Sequence, residues 1–371
     1  MKFRFDEIAF NSTLKKKPVE EDKIHYIGLE HIEPGNFSIT EWGSDVAPVG
    51  EKLIMKKGDI LFGKRRAYQR KVAIAPFDGI FSAHGMVLRP KTDVIDADFF
   101  PLFISSDTFM ETAMRISVGG LSPTINWKDL KEQEFELPSL EEQQTIAKKA
   151  WAAYRLKEAY QRLLSATDEM VKSQFLEQFR KDVTRKELSS LCDTFIDGDW
   201  IESKDQSESG IRLIQTGNVG SGVFVDKEDK ARYINEETFS RLNCTAIESG
   251  DILISRLPDP VGRACIIPKG IGKAITAVDC SIIRTNKEIL PEFLIGYTLT
   301  DDYQSQIKAC LSGTTRLRIS RSNLGKIKIP VPDLDDQQQF VVITQQADKS
   351  KFELKRAIEA IDKVIKSLIN G

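Results

Sequence analysis

A chain that carries the same long pattern twice has few architectures open to it. Gly119-Gly120-Leu121-Ser122-Pro123-Thr124-Ile125 is followed by Leu130 and then by Phe135-Glu136-Leu137-Pro138-Ser139-Leu140-Glu141-Glu142-Gln143-Gln144. A shift of 194 residues lays this onto Gly313-Thr314-Thr315-Arg316-Leu317-Arg318-Ile319, Leu324 and Ile329-Pro330-Val331-Pro332-Asp333-Leu334-Asp335-Asp336-Gln337-Gln338. Upstream, Gly58-Asp59-Ile60-Leu61 matches Gly250-Asp251-Ile252-Leu253 at a shift of 192, and Ile24-His25-Tyr26-Ile27 matches Ile211-Arg212-Leu213-Ile214 at 187. The drift places the length differences in the loops before residue 98. A period this long marks duplicated domains rather than a solenoid. Such a chain is pseudo-symmetric and suits a two-part target.

Each copy ends in a long charged stretch. No Pro or Gly interrupts 139–179 or 333–370. Ser139 and Asp333 are candidate N-caps, and the acids behind them favour the positive end of a helix dipole. In the second stretch Phe340, Ile343, Ala347, Ser350, Leu354, Ala357, Ile361, Val364 and Leu368 alternate at three and four residues. The equivalents in the first are Ile146, Lys149, Ala153, Leu156, Tyr160, Leu163, Thr167, Met170 and Gln174. This heptad spacing predicts two rods that pair as a coiled coil, each about 60 Å long. Ahead of each rod, short apolar runs broken by Gly, Pro and Asp predict an α+β head with a helix near 98–116 or 291–310. The expected division is 1–138 for head one, 139–180 for its helix, 181–332 for head two and 333–371 for the second helix.

Composition narrows the function. No apolar run nears the roughly 18–20 residues of a membrane span. Met1–Phe10 does not read as a signal peptide, and five cysteines without CxxC spacing read as reduced cytosolic thiols, so a cytoplasmic protein is expected. Net charge is −2, but the cations cluster. Residues 56–89 hold eight basic residues against two acids, and 303–332 hold six against none. Local basic patches on a near-neutral chain suit a grip on a polyanion.

Searches for catalytic patterns fail. Gly270-Ile271-Gly272-Lys273-Ala274 lacks the early Gly and the hydroxyl of a phosphate loop, and Leu257-Pro258-Asp259-Pro260 only shares composition with an amino-methyltransferase loop. Glu228-Asp229-Lys230 has nuclease letters inside a polar run. The strongest chemical signal is Gly63-Lys64-Arg65-Arg66-Ala67-Tyr68-Gln69-Arg70-Lys71, which mixes cations for phosphates with side chains that read or stack on bases. The equivalent Ser255–Arg263 stretch differs in chemistry while its flanks match. Shared scaffold with divergent loops suits two heads that read two different things.

With these residues in view, the chain resembles the specificity subunit of a Type I DNA restriction–modification enzyme. The paired Gly-Asp-Ile-Leu strands and the twice-repeated proline, acids and Gln-Gln carry the resemblance over essentially the full length. It implies two target-recognition domains separated by two long helices that pair as an antiparallel coiled coil. It implies that each head reads half of a bipartite double-stranded DNA target and directs adenine methylation. The partners implied are two methyltransferase subunits, joined in some complexes by motor–nuclease subunits. The chain itself would be non-catalytic and bind no cofactor or metal. S-adenosylmethionine would belong to the methyltransferases, and ATP with Mg2+ to the motor subunits. Candidate DNA contacts are Lys64, Arg65, Arg66, Tyr68, Gln69, Arg70, Lys71 and His84 in head one. In head two they are Gln215, Asn218, Arg256, Arg263, Arg316, Arg318 and Arg321. A coiled-coil assembly scaffold that reads no DNA is the alternative, against which the Lys64–Lys71 loop speaks.

Overall fold

The computed structural model describes residues 1–179, 183–313 and 316–370. It divides into two compact units, one of 1–161 with 355–371 and one of 162–354. Each therefore holds one head and a segment of both long helices. The expected head boundary at 180–181 lies outside the described residues.

In the first unit, an antiparallel sheet has the order Ala9–Ser12, Met86–Pro90, Ile60–Phe62, Val72–Ile74. A second sheet has the order Lys15–Lys16, Lys52–Met55, Gly79–Phe81, Tyr26–Ile27, and its last pairing is parallel. Lys2–Arg4 returns to pair with Glu134–Glu136. The second unit repeats the larger sheet and the closing strand pair, while its smaller sheet has three strands in a different order. Its larger sheet runs Cys192–Asp197, Cys280–Thr285, Ile252–Ser255, Ala264–Ile266, and its smaller one Arg232–Ile234, Ile211–Ile214, Ala274–Thr276. Arg185–Glu187 pairs with Lys328–Pro330.

The repeated Gly-Asp explains part of this plan. Gly58 and Gly250 turn at φ +88° and +98°, a region open to Gly at little cost. The Asp59 carboxylate accepts from Lys56 N at 2.8 Å and takes both arms of Arg89 at 2.5 and 2.8 Å. Asp251 does the same with Glu248 N at 2.9 Å and Arg284 at 2.8 and 3.0 Å. A nearly buried carboxylate is tolerated because its oxygens have donors on several sides. Arg89, one of the eight cations of the basic stretch, is thus committed to the scaffold, and Lys56 pairs with Asp78 at 2.8 Å.

The helix expected near 98–116 is two helices, Phe99–Ser105 and Asp107–Arg115. Ser106 stays extended and its hydroxyl caps Phe109 N. Its counterpart is Thr300, which divides Pro291–Thr298 from Asp301–Ala309 and caps Tyr303 N. A hydroxyl followed by acids competes with helix continuation and restarts the helix instead.

The long helices span Leu140–Phe179 and Leu334–Asn370. Ser139 and Glu142 form a capping box, with Ser139 N donating to Glu142 at 2.9 Å and Glu142 N donating to Ser139 Oγ at 3.3 Å. Behind it, Gln143 is 1% exposed and Gln337 0%. Gln143 accepts from Asp96 N at 2.8 Å and donates to Val94 O at 3.3 Å and Pro138 O at 3.0 Å. Gln337 makes the same three bonds to Leu290 N, Glu288 O and Pro332 O, at 2.8, 2.9 and 2.9 Å. The first glutamine of each Gln-Gln is therefore a lock between helix start and head.

Within each unit the helix segments run antiparallel. In the first, Lys157 pairs with Asp362 at 2.6 Å, and Ala147 and Ala150 share a core with Leu368 and Ile369. In the second, Lys351 pairs with Asp168 at 2.9 Å, and Phe175 meets Phe340 at 5.2 Å between ring centroids. Lys157 and Lys351 are equivalent under the 194-residue shift, as are Asp168 and Asp362. The two ion pairs are one interaction made twice.

The seam differs from the expected one at every second position of the first helix and at two positions of the second, where Ile343 and Ala357 stay half-buried as expected. Lys149, Leu156, Leu163 and Met170 face outward, while Ala150, Lys157, Leu164 and Val171 turn inward. In the second helix Ser350 and Val364 are exposed, with Lys351 and Ile365 in their places. Apolar periodicity cannot anticipate this, because the inward lysine brings an alkyl stem to the seam and its charge to an aspartate. No helix among the described residues is long and apolar enough to cross a membrane. Burial pushes the thiols of Cys192 and Cys265 up to about 12, and those of Cys244 and Cys280 to about 11.

Candidate nucleic-acid interface

In head one the chain leaves strand Ile60–Phe62 at Gly63 and rejoins the sheet at Val72. Gly63 N donates to Lys71 O at 2.9 Å, closing the loop base. Arg66 and Arg70 take left-handed backbone, at φ 57° and 52°, on either side of a single 3-10 turn, Ala67–Gln69. Left-handed backbone costs about 1–2 kcal/mol per residue without glycine. Fixed partners offset it. Arg66 N donates to Pro123 O at 2.7 Å and its Nε to Ser122 Oγ at 3.2 Å. Arg70 N donates to Ala67 O at 2.8 Å.

These constraints sort the candidate residues. Arg70 donates to Ser105 O at 3.1 Å and Asp107 at 2.6 Å, and so ties the loop to the break between the two short helices. Lys71 donates to Leu29 O at 2.5 Å. Both are spent on the head's own structure, and Gln69 is half-buried. Arg65, Arg66, Tyr68 and His84 are exposed, with Lys64 partly so. Arg65 Nη1 lies 3.5 Å from His84 Nε2. Burial, and then the nearby Lys15, lowers the Lys64 pKa from its ordinary value. His84 is likewise lowered, first by burial and then by Arg65, Lys64 and Lys52. Burial is the first cause in both cases, and neighbouring cations add to it.

Head two uses its candidates differently. Arg256 donates to Val278 O at 2.7 Å and Ile319 O at 3.4 Å, with Nε 3.2 Å from Asp197 in ion-pair range. Arg263 donates to Pro260 O at 3.0 Å. Asn218 is buried, accepting from Gln215 N at 3.0 Å and donating to Val225 O at 2.9 Å. The structure thus places all three among loop-shaping bonds. Gln215 and Asn218 both line a cleft of about 300 Å³, with Gly217, Lys227, Lys230 and Arg232. Charge along the sequence does not single out those three cations, because Glu228 and Asp229 sit between them and cancel the local excess. Arg316, Arg318 and Arg321 are exposed, with Arg318 paired through its backbone to Ser312.

Known proteins are similar to this chain in sequence and fold. A family described as Type I restriction modification DNA specificity domain matches residues 3–154 and 180–362. The Type I restriction enzyme EcoDI specificity subunit of Escherichia coli is 28% identical over 191 residues, 49% of this chain and 41% of that protein. The MjaVIII specificity subunit of Methanocaldococcus jannaschii is 23% identical over 372 residues, 93% of this chain and 84% of that protein. A chain from a structural study of complex assembly and conformational transition in the type I restriction–modification system is similar in fold. Its TM-score is 0.62 at 18% identity, covering 100% of this chain and 96% of that one. With both heads matched and the repeated scaffold described above, the chain belongs to the family of Type I restriction–modification specificity subunits, the proteins of DNA-target recognition in those systems.

Proposed function

We propose that each head reads one half of a bipartite duplex target and that the chain directs adenine methylation by two docked methyltransferase subunits. The chain itself is non-catalytic in this reading. S-adenosylmethionine is bound by the methyltransferases, and ATP with Mg2+ by motor–nuclease subunits where these join. The observation that carries the reading is the contrast between scaffold and loops. The two heads share the order of the larger sheet, the Gly-Asp turn, the pairing of its buried Asp with an Arg, and the glutamine lock. At one place in that shared frame, Gly63–Lys71 presents exposed cations and a Tyr, whereas the arginines of Ser255–Arg263 donate to backbone carbonyls elsewhere in their own head and in the loop. Cations supply phosphate affinity through counterion release, and side chains at base edges supply discrimination.

The test is the salt dependence of duplex binding by the assembled complex. Arg65→Ala with Arg66→Ala lowers affinity for every sequence and flattens the logarithmic salt slope by about one unit for each phosphate no longer neutralised. Arg70→Ala instead lowers the stability of the first unit. An unaltered slope and affinity in the double variant would remove this loop from the interface.

His84 adds a pH signature. Its folded pKa lies below its unfolded value, so the fold loses stability as pH falls below the usual histidine range of about 6.5 and the unfolded chain takes the proton first. A phosphate beside it reverses the bias and favours the imidazolium. Duplex binding is therefore expected to tighten as pH falls from about 8 to 6, with proton uptake. His84→Gln flattens this profile, and an identical profile in the variant counts against a nearby phosphate.

A further inference from the structure

Leu121 has no structural employment. It is 96% exposed, at the end of a reversal whose sides exchange Val118 N to Thr124 O at 3.0 Å and Thr124 N to Val118 O at 2.9 Å. Gly119 takes φ +113°, and a Cβ at Gly120 would meet nothing within 4 Å, so the tip is narrow. Narrow does not mean loose. Its returning side is fastened to the basic loop by Arg66 N to Pro123 O at 2.7 Å, Ile125 N to Lys64 O at 2.9 Å and Arg66 Nε to Ser122 Oγ. A branched apolar side chain is thus held out in water beside Lys64, Arg65 and Arg66.

We propose that Leu121 is a wedge that enters between adjacent base pairs of the half-site read by head one. The proposal rests on the DNA-reading function above and adds a mechanical act to it. The cations select the occupant. An apolar tip meant for a protein groove gains nothing from three flanking positive charges, whereas a duplex offers phosphates to the cations and an apolar stack to the tip. Exposed leucines are among the side chains that open base steps in this way. Opening a step makes recognition depend on how easily that step unstacks, which is sequence information obtained without a hydrogen bond. The position equivalent to Leu121 under the 194-residue shift is Thr315. The wedge is therefore assigned to head one, since the leucine on the matching turn, Leu317, is 40% exposed against 96% for Leu121.

The experiment uses the assembled complex without S-adenosylmethionine. Duplexes carry 2-aminopurine at successive positions across both half-sites and their flanks, omitting the adenines that become methylated. Binding is followed in parallel by anisotropy. The expected result is a fluorescence rise at one step on the head-one side, lost in Leu121→Ser and kept in Leu121→Met. At 96% exposure the side chain is not needed for folding. Binding without brightening anywhere in the wild type overturns the wedge and leaves the DNA reading intact. So does a rise that persists in Leu121→Ser. Loss of methyltransferase subunits from the Leu121→Ser complex assigns the tip to protein docking and overturns it too. A wild-type complex that binds no duplex sinks the DNA reading itself.

Discussion

Replacing residues 1–138 with the matching head of a relative rewrites one half of the methylated sequence and leaves the other half unchanged. Methylation mapping of DNA from cells carrying the hybrid reads the outcome directly. The structure says which contacts the graft must respect. Trp151 and Tyr154 of the first long helix pack on Phe37, at 5.2 and 5.0 Å between ring centroids. Trp151 Nε1 donates to Asp98 O at 2.8 Å. Asp107 N donates to Asn370 Oδ1 at 2.7 Å. The side-chain requirements are an apolar residue at 37 and a hydroxyl at 38, which donates to Glu158 at 2.7 Å, because the other two bonds are made to the head's backbone. A hybrid that methylates a target changed in both halves would mean that the heads read DNA jointly.

Gln143→Leu is expected to destabilise the first unit by about 3 kcal/mol. The substitution is close to isosteric, so little packing changes. What it removes is one acceptor and one donating amide group, leaving Asp96 N, Val94 O and Pro138 O without their partner. Each buried polar group left unmade costs about 1–3 kcal/mol, and partial water entry recovers some of that. For a unit of this size the melting temperature falls by roughly 6–12 °C. Gln337→Leu does the same to the second unit through Leu290 N, Glu288 O and Pro332 O. Thermal unfolding with hydrogen exchange at Asp96 and Leu290 separates the two effects. A melting temperature within about a degree of wild type would show that the glutamines are dispensable.

Much of the architecture is legible because it is written twice. A shift that holds from residue 98 onward implies one scaffold, and uninterrupted polar stretches with capped starts imply long helices. Finer features hide where one letter serves two purposes. Lys157 and Lys351 look like solvent residues because periodicity weighs only apolarity, yet they sit in the seam opposite aspartates. Ser106 and Thr300 look like helix interior because the apolar pattern runs through them, although hydroxyl-then-acid is also a start signal. The candidate DNA-binding residues are the hardest to sort. Arg70, Arg256 and Arg263 are as basic as Arg65 and Arg66, and only the fold shows that their donors are taken by carbonyls and carboxylates of their own heads. Leu121 gives no signal at all, since a lone leucine after two glycines carries no period.

The glutamine lock bears on inheritance. Its partners on the head are two carbonyls, which every residue has and one of which belongs to Pro138, and an amide that every residue except proline supplies. The joint therefore tolerates almost any change in the side chains around it. Genes for such subunits can therefore recombine at the helix start without disturbing this joint. What a crossing-over must still match is the packing of Trp151 and Tyr154, which asks for an apolar residue at 37.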